Sequence, residues 1–128
     1  MNAEYFRVIF ISDEINSFPE KFGIITACNP KDQILSASEN RARNLQLKKQ
    51  IIQKMDLCGE IVGSSPDKAH QELSFVVKGS VKHLLQLGKD FEQNAIFWIE
   101  KDSLHLMDCL NKKTFQVGSF RERIVGSN

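Results

Sequence analysis

The stretch FGIITACNP, from Phe22 to Pro30, constrains this chain more than any other. Its apolar run is almost unbroken and stops at Asn29-Pro30, the pattern of a central strand running into a turn. Pro30 offers no N–H and biases Asn29 away from helix, so the chain has to change direction there. Partner strands are read on either side. Tyr5 to Ile11 is short and rich in aromatic and β-branched residues, and a polar turn leading to Pro19 follows it. CGEIVGSSPD gives a short strand and a turn. QELSFVVKG then alternates, with Leu73, Phe75 and Val77 on one face and His70, Glu72, Ser74 and Val76 on the other. AIFWIEKDSLHLMD reads as a hairpin through Lys101, Asp102 and Ser103, and KTFQVGSFRERIV as one or two final short strands.

SASENRARNLQLKKQIIQKM, from Ser36 to Met55, is the clearest helix. Ser36 and Glu39 have capping-box spacing, and the helix dipole also favours that carboxylate. Ala42, Leu45, Ile52 and Met55 recur near helical spacing and are expected to face a sheet, with Leu47 and Ile51 widening the stripe. A second helix, from about Ser80 to Phe91, sets Val81, Leu84, Leu85 and Gly88 on one face. Inside a helix Gly88 costs about 1 kcal/mol against alanine, which signals close packing or an early helix end.

The order β-β-α-β-β-α-β-β-β predicts a single α+β domain over residues 1–128. The expected architecture is a two-layer sandwich, a mostly antiparallel sheet with two helices on one face. The other sheet face then stays partly open, with His70, Glu72 and Ser74 on it. At 41% hydrophobic and 26% charged residues the composition is that of an ordinary globular protein. A net charge of +1 provides no global field toward nucleic acid or anionic lipid, so any anion must be held locally. The basic residues Arg41, Arg43, Lys48, Lys49 and Lys54 gather on the first helix, as a solvated face would.

The three cysteines, Cys28, Cys58 and Cys109, are widely spaced, without a CxxC or Cys/His cluster. Reduced, mostly buried thiols and no metal site are expected. No segment reaches the roughly 18 apolar residues of a membrane span, and MNAEYFRVIFISDE lacks a basic n-region and a cleavage site. A cytoplasmic location is the expectation.

Three groups of residues carry candidate chemistry. Asp67, His70 and Glu72 lie within VGSSPDKAHQELSF, where a carboxylate two residues from an imidazole shares its strand face. That pairing orients the ring for general acid/base work, and Asp67 from the turn would add a third metal ligand. The structural alternative makes Asp67 a turn cap and pairs Glu72 with Lys68 or Lys78. In the second group Asn40, Arg43 and Asn44 line one face near the start of the first helix, where free N–H groups attract anions. Arg43 would add a bidentate contact, and Asn29 could approach from the end of the central strand. Otherwise Asn29 bonds its own turn and the stripe is solvated. In the third, Gln93 and Asn94 stand between a helix and a strand, where amides commonly bond orphan backbone groups. Phe91, Phe97 and Trp98 beside them read as core or sheet-face residues.

Taken in order, FGIITACNP, SASENRARN, VGSSPDKAHQELSF and LGKDFEQNAIFW resemble the bacterial family catalogued as domain of unknown function 3293, across about residues 22–100. Cys28 departs from the pattern, which has a tryptophan or another bulky residue before Asn-Pro, and that change would reshape one wall of a pocket. The resemblance implies a small bacterial cytoplasmic protein and no particular activity or cofactor. The matching residues Asn29, Pro30, Asn40, Asn44, Pro66, Asp67, His70, Glu72, Gln93 and Asn94 are polar or turn-forming, so they are expected to converge on one pocket.

The function read from these residues is binding of a polar or anionic, nucleotide-like small ligand. Asn29, Arg43, Asn44 and the first helix start would supply donors, Asp67, His70 and Glu72 would orient the ligand, and Asn40, Gln93 and Asn94 complete the expected ligand-binding set. One alternative is a hydrolase or transferase with His70 as general base, and another is a protein-interaction domain without chemistry. The neutral charge argues against nucleic acid as the partner.

Overall fold

Apolar runs and period-two alternation place the strands, and the same alternation sorts their side chains onto two faces. In the computed structural model, which describes residues 2–13 and 17–126, β1 (Ile9–Ile11) and β2 (Lys21–Ile25) precede α1 (Ala37–Lys54). β3 (Asp56–Ser64) and β4 (Gln71–Lys78) precede α2 (Val81–Asp90), and β5 (Ala95–Glu100), β6 (Ser103–Asp108), β7 (Thr114–Ser119) and β8 (Ile124–Val125) follow. They form one eight-stranded sheet in the order β7-β6-β5-β2-β4-β3-β1-β8. Every neighbouring pair is antiparallel except β1 with β8. β2 is central, between β4 and β5. Residues 14–16, within the turn expected before Pro19, lie outside the described residues, as does Met1.

Both helices cover one face of the sheet. Ile25 of β2, Phe75 and Val77 of β4, and Ile96 and Trp98 of β5 pack with Leu47 and Ile51 of α1 and with Leu84 and Leu87 of α2. Gly88 is a close-packing position rather than a helix end: a Cβ there would lie 2.6 Å from Cys109 Sγ and 3.0 Å from Ile96 Cγ2. The capping box of α1 is present, with Ser36 Oγ accepting from Glu39 N and Glu39 accepting from Ser36 N. The buried stripe of α1 keeps the expected Leu47 and Ile51 but otherwise differs from the expected one. Asn44, Leu47 and Ile51 point inward, while Ala42 is exposed and Leu45 and Ile52 are each 60% exposed. An asparagine takes the inner position because its amide is bonded on both sides, which hydrophobic periodicity does not register.

The other face is the inside of a curl. Phe10 on β1 and Phe97 on β5 meet edge to face with ring centroids 5.2 Å apart, although β2, β4 and β3 lie between their strands. In a flat sheet they would be about 19 Å apart, at about 4.8 Å per strand. The expected two-layer sandwich is therefore a half-barrel, with the helices outside and a trough inside. The chain itself imposes the curl. Only Phe120–Arg123 connect β7 at one edge of the sheet to β8 at the other. That link spans at most about 18 Å, whereas flat edges would be about 34 Å apart. Arg123 fastens the approach, its Nη1 donating to Val8 O at 2.9 Å and its Nη2 to Val117 O at 2.6 Å.

Part of the trough is filled by aromatic rings. Phe120 lies 5.4 Å from Phe10, 5.2 Å from Phe22 and 5.0 Å from Phe18. Ile61, Val76, Ile99 and Leu104 complete this second core. Val76, assigned by alternation to the polar face, is thus buried in the trough, and Leu73 on the opposite face is 39% exposed. The strand expected from Tyr5 begins only at Ile9. Ala3–Arg7 form a 3₁₀ turn instead, started by Asn2, whose Oδ1 accepts from Glu4 N at 3.0 Å.

Removing the Arg123 fastening tests the importance of the closure. Arg123→Ala should lower the unfolding free energy by about 2–3 kcal/mol, the scale of two hydrogen bonds from a charged donor, measured by urea denaturation.

Candidate functional site

The candidate site exists because β2 and β4 part company. Their register runs Gly23–Val77, Ile24–Val76 and Ile25–Phe75. Continued, it would set Thr26 and Ala27 against Ser74 and Leu73. Side chains serve these backbone groups instead. Asn44 Oδ1 accepts from Ala27 N at 2.9 Å while its Nδ2 donates to Leu73 O at 3.0 Å, so the buried carboxamide replaces a peptide group between the diverging strands. Thr26 Oγ1 also donates to Leu73 O, at 2.7 Å.

Beyond the split, the chain turns through three left-handed residues, Asn29 (φ 47°), Lys31 (φ 50°) and Asp32 (φ 64°). Non-glycine residues adopt this conformation uncommonly, asparagine and aspartate most readily. Asn29 holds the turn with its backbone and its amide. Its N donates to Asn40 Oδ1 at 2.9 Å, and its Oδ1 accepts from Asn40 Nδ2 at 2.9 Å and from Leu35 N at 2.9 Å. Its Nδ2 reaches across the opening to Glu72 Oε2 at 3.0 Å.

Arg43 closes the outer side of this turn. Its Nε donates to Ala27 O at 2.6 Å and its Nη2 to Phe91 O at 2.5 Å, with Glu92 at 3.7 Å. Gln93 Nε2 donates to Cys28 O at 3.0 Å and to Phe91 O at 3.2 Å. Asn94 Nδ2 donates to Asp32 Oδ2 at 3.0 Å, and Tyr5 OH to Asp32 Oδ1 at 2.6 Å, which ties the N-terminal turn to the Asn-Pro turn.

These elements enclose a cavity of about 320 Å³ at the end of the trough that the phenylalanine cluster leaves open. Val8, Phe10, Ile24, Ala95 and Phe97 supply its apolar wall. Glu72, Ser74, Thr26 and Asn29 line it where β2 and β4 diverge, with Ser64, Ser65 and His70 from the β3–β4 hairpin. Tyr5, Asp32 and Ile34 also border it. Burial pushes the Glu72 carboxyl above the ordinary carboxylate range. The Asn29 amide offsets part of that rise and the charge of Asp32 adds to it. The Tyr5 phenol is raised by burial, by its hydrogen bond to Asp32 and by the carboxylates of Asp32 and Glu72.

The structure therefore brings Asn29, His70, Glu72 and Gln93 to one cavity and places the other candidates elsewhere. Asn40 and Asn44 bond the backbone and the Asn29 side chain from behind. Arg43 is committed to two carbonyl groups and offers no contact to an anion in the cavity. Asp67 is exposed and caps its own turn, bonded by Ser65 Oγ at 2.6 Å and Ala69 N at 3.0 Å, and these bonds hold its carboxyl below the usual range. Asp67 does not join His70 and Glu72 in a metal site, since no group of three such ligands could hold an ion among the described residues. Glu72 bonds Asn29 rather than Lys68 or Lys78. Cys28, the departure from the family pattern, is buried against Asn44 and does not line the cavity.

Tyr5, Asp32, Thr26 and Ser74 are cavity residues that the sequence did not single out as candidates. For Ser74 a signal existed, because it shares the Glu72 face at period two. Tyr5 and Asp32 meet across 27 positions of sequence through a turn that no local pattern encodes.

The fold and the cavity define a class: an α+β half-barrel with its helices outside and a polar-rimmed cavity inside. The family described as Protein of unknown function (DUF3293) matches residues 25–96, and the chain belongs to it. No curated protein and no solved structure matches the chain. The matched stretch runs from the end of β2 into β5 and so carries the amide network, while Tyr5, Phe10 and Arg123 lie outside it.

Two variants separate scaffold from site. Asn44→Leu should cost about 2–3 kcal/mol in urea denaturation, because Ala27 N loses its partner inside the protein and Leu73 O keeps only the Thr26 hydroxyl. Glu72 shows the opposite behaviour. Its folded carboxyl holds its proton to higher pH than the unfolded one, so stability falls as pH rises from the ordinary carboxylate value through the raised one. Glu72→Gln should abolish that fall and be more stable near neutrality by about 0.5–2 kcal/mol, read from denaturation at a series of pH values.

Proposed function

We propose that the protein is a binding module for a small organic molecule, which lies in the trough against Phe10, Ile24 and Phe97 with its polar end at Glu72 and His70. The observation that carries this reading is the cavity itself. About 320 Å³ of space stands beside a packed aromatic core, and its rim joins residues from β2, β3, β4 and both flanking turns. Its volume and its mixture of apolar wall and few polar groups are those of small-molecule sites. A bacterial cytoplasmic setting accords with the family resemblance and with three free cysteines. No helix among the described residues is long and apolar enough to cross a membrane.

The anionic half of the original expectation has lost its support, since it relied on Arg43 and the start of the first helix. The general-base alternative keeps His70, Glu72 and Asn29 on the cavity wall but loses Arg43, one of the two groups, with Asn29, that would hold a developing negative charge. Burial raises the thiols of Cys28 and Cys109, the latter to about 12, so neither is a ready nucleophile.

Thermal-shift screening of a metabolite library tests the proposal. At least one compound should raise the melting temperature of the wild type by several degrees, and Ala95→Phe, which fills the trough, should abolish that rise while remaining folded. If no compound stabilises the wild type, or if Ala95→Phe responds as the wild type does, the cavity is not the binding site.

A further inference from the structure

The donor and acceptor inventory of the cavity wall identifies the chemistry of its ligand. A hydroxyl has one hydrogen to donate and lone pairs to accept with. Around this cavity the hydroxyl hydrogens are already committed to the protein. Thr26 donates to Leu73 O at 2.7 Å, Ser64 to Ser65 O at 2.8 Å, and Ser74 to Glu72 O at 3.1 Å. Ser65 donates to Asp67 Oδ1 at 2.6 Å and Tyr5 to Asp32 Oδ1 at 2.6 Å. The Gln93 amide nitrogen likewise donates twice, to Cys28 O and Phe91 O. Among the described lining side chains, the donors left over are the His70 ring and amide hydrogens of Asn2 and Asn29.

Acceptors remain in excess. Glu72 receives one hydrogen bond, on Oε2 from Asn29, and Oε1 receives none among the described residues. The committed hydroxyls still present lone pairs. Among the described residues no lysine or arginine lines the cavity, whereas Glu4, Asp32 and Glu72 do. An anionic head group would find repulsion and few donors here. A head group carrying several N–H hydrogens and a positive charge would meet what the wall offers, and a carboxylate already oriented by an amide suits a charge-assisted pair. Phe10 and Phe97 beside it favour an apolar or aromatic body, which a cation also approaches favourably across a ring face.

We infer that the ligand is a hydrogen-bond donor: a small molecule with an ammonium or amidinium head held by Glu72 and an apolar body along Phe10, Ile24 and Phe97. This inference rests on the binding role proposed above, and one probe series separates the two. Benzamidine, phenethylamine, benzyl alcohol, phenylacetate and phenyl phosphate share a body and differ in the head. Their binding to ¹⁵N-labelled protein at neutral pH is followed through the amide signals of Ile24, Ser74 and Phe97. The cationic probes should shift these signals, and Glu72→Gln should weaken them roughly tenfold or more, the scale of one charge-assisted hydrogen bond. The anions should bind at least that much more weakly than the cations. If phenylacetate or phenyl phosphate binds as well as the amines, or if Glu72→Gln leaves the cations unaffected, the donor assignment is wrong while the cavity remains a binding site. If no probe of either charge shifts these signals, both readings fail.

Discussion

The half-barrel depends on a short piece of chain. Between the last residue of β7 and the first of β8 there are four residues, yet the two strands occupy opposite edges of an eight-stranded sheet. So short a connection cannot cross an open sheet of that width, so the sheet has to roll until its edges approach. The β1–β8 pairing covers only two residue pairs and is too brief to hold the curl unaided. Phe120 and Arg123, both in the link, do that. The ring of Phe120 sits among Phe10, Phe18 and Phe22, and the Arg123 guanidinium ties carbonyls from the two ends of the sheet. The cavity inherits its apolar wall from this closure. Phe10 and Phe97 come from strands separated by three others and form one surface only because the sheet is rolled.

The opposite requirement, keeping part of the trough open, falls to amides. A sheet that stayed zipped between β2 and β4 would carry its ladder on through Thr26 and Ala27. Asn44 supplies an acceptor and a donor at the spacing the lost ladder would have used, so the split leaves no unpaired backbone at those two groups. Asn29 then tolerates a left-handed backbone and bonds both sides of the turn, which compensates for a conformation that costs energy by itself. Arg43 and Gln93 hold the carbonyls of the diverging segment to the α2–β5 connection. These polar residues are positioned to shape the cavity wall from behind, and their hydrogen bonds are internal to the protein.

That division explains which features the sequence disclosed. The central strand, the capped helix, the Asn-Pro turn and the face shared by Glu72 and Ser74 follow from local rules and stand where those rules put them, whereas His70, expected on that strand face, lies in the hairpin before β4. The roll of the sheet was hidden because it arises from the length of a connection between strands whose positions in the sheet no local pattern reveals. The inner face of α1 was misjudged in part, Leu47 and Ile51 excepted, for a related reason: Asn44 is buried by virtue of two backbone groups that lie 17 and 29 residues away. Arg43 invited an anion-site reading because a free guanidinium near a helix start commonly holds one. Whether a guanidinium is free is a property of tertiary structure, and here two carbonyls occupy it. Residue types flagged the right neighbourhood without separating what lines the cavity from what braces it.

Of Asp32, Glu72, Asn29, Gln93 and the hydroxyls around the cavity, Glu72 is the one whose charge the scaffold does not account for. Asp32 accepts on both oxygens, from Tyr5 and from Asn94, and thereby joins two turns. Asn29, Gln93 and the hydroxyls of Thr26, Ser64, Ser65 and Ser74 complete bonds that a folded backbone needs. Glu72 serves the scaffold through one oxygen, accepting from Asn29, and a neutral carboxamide could accept there equally well. Its charge is instead a liability, since burial and the neighbouring Asp32 both work against ionisation. A charge that costs stability, and that its one internal hydrogen bond does not require, is where function is to be sought, because natural sequences break local consistency chiefly at such sites. The carboxylate oxygen left without a partner among the described residues, with an apolar wall beside it, is that inconsistency in this fold.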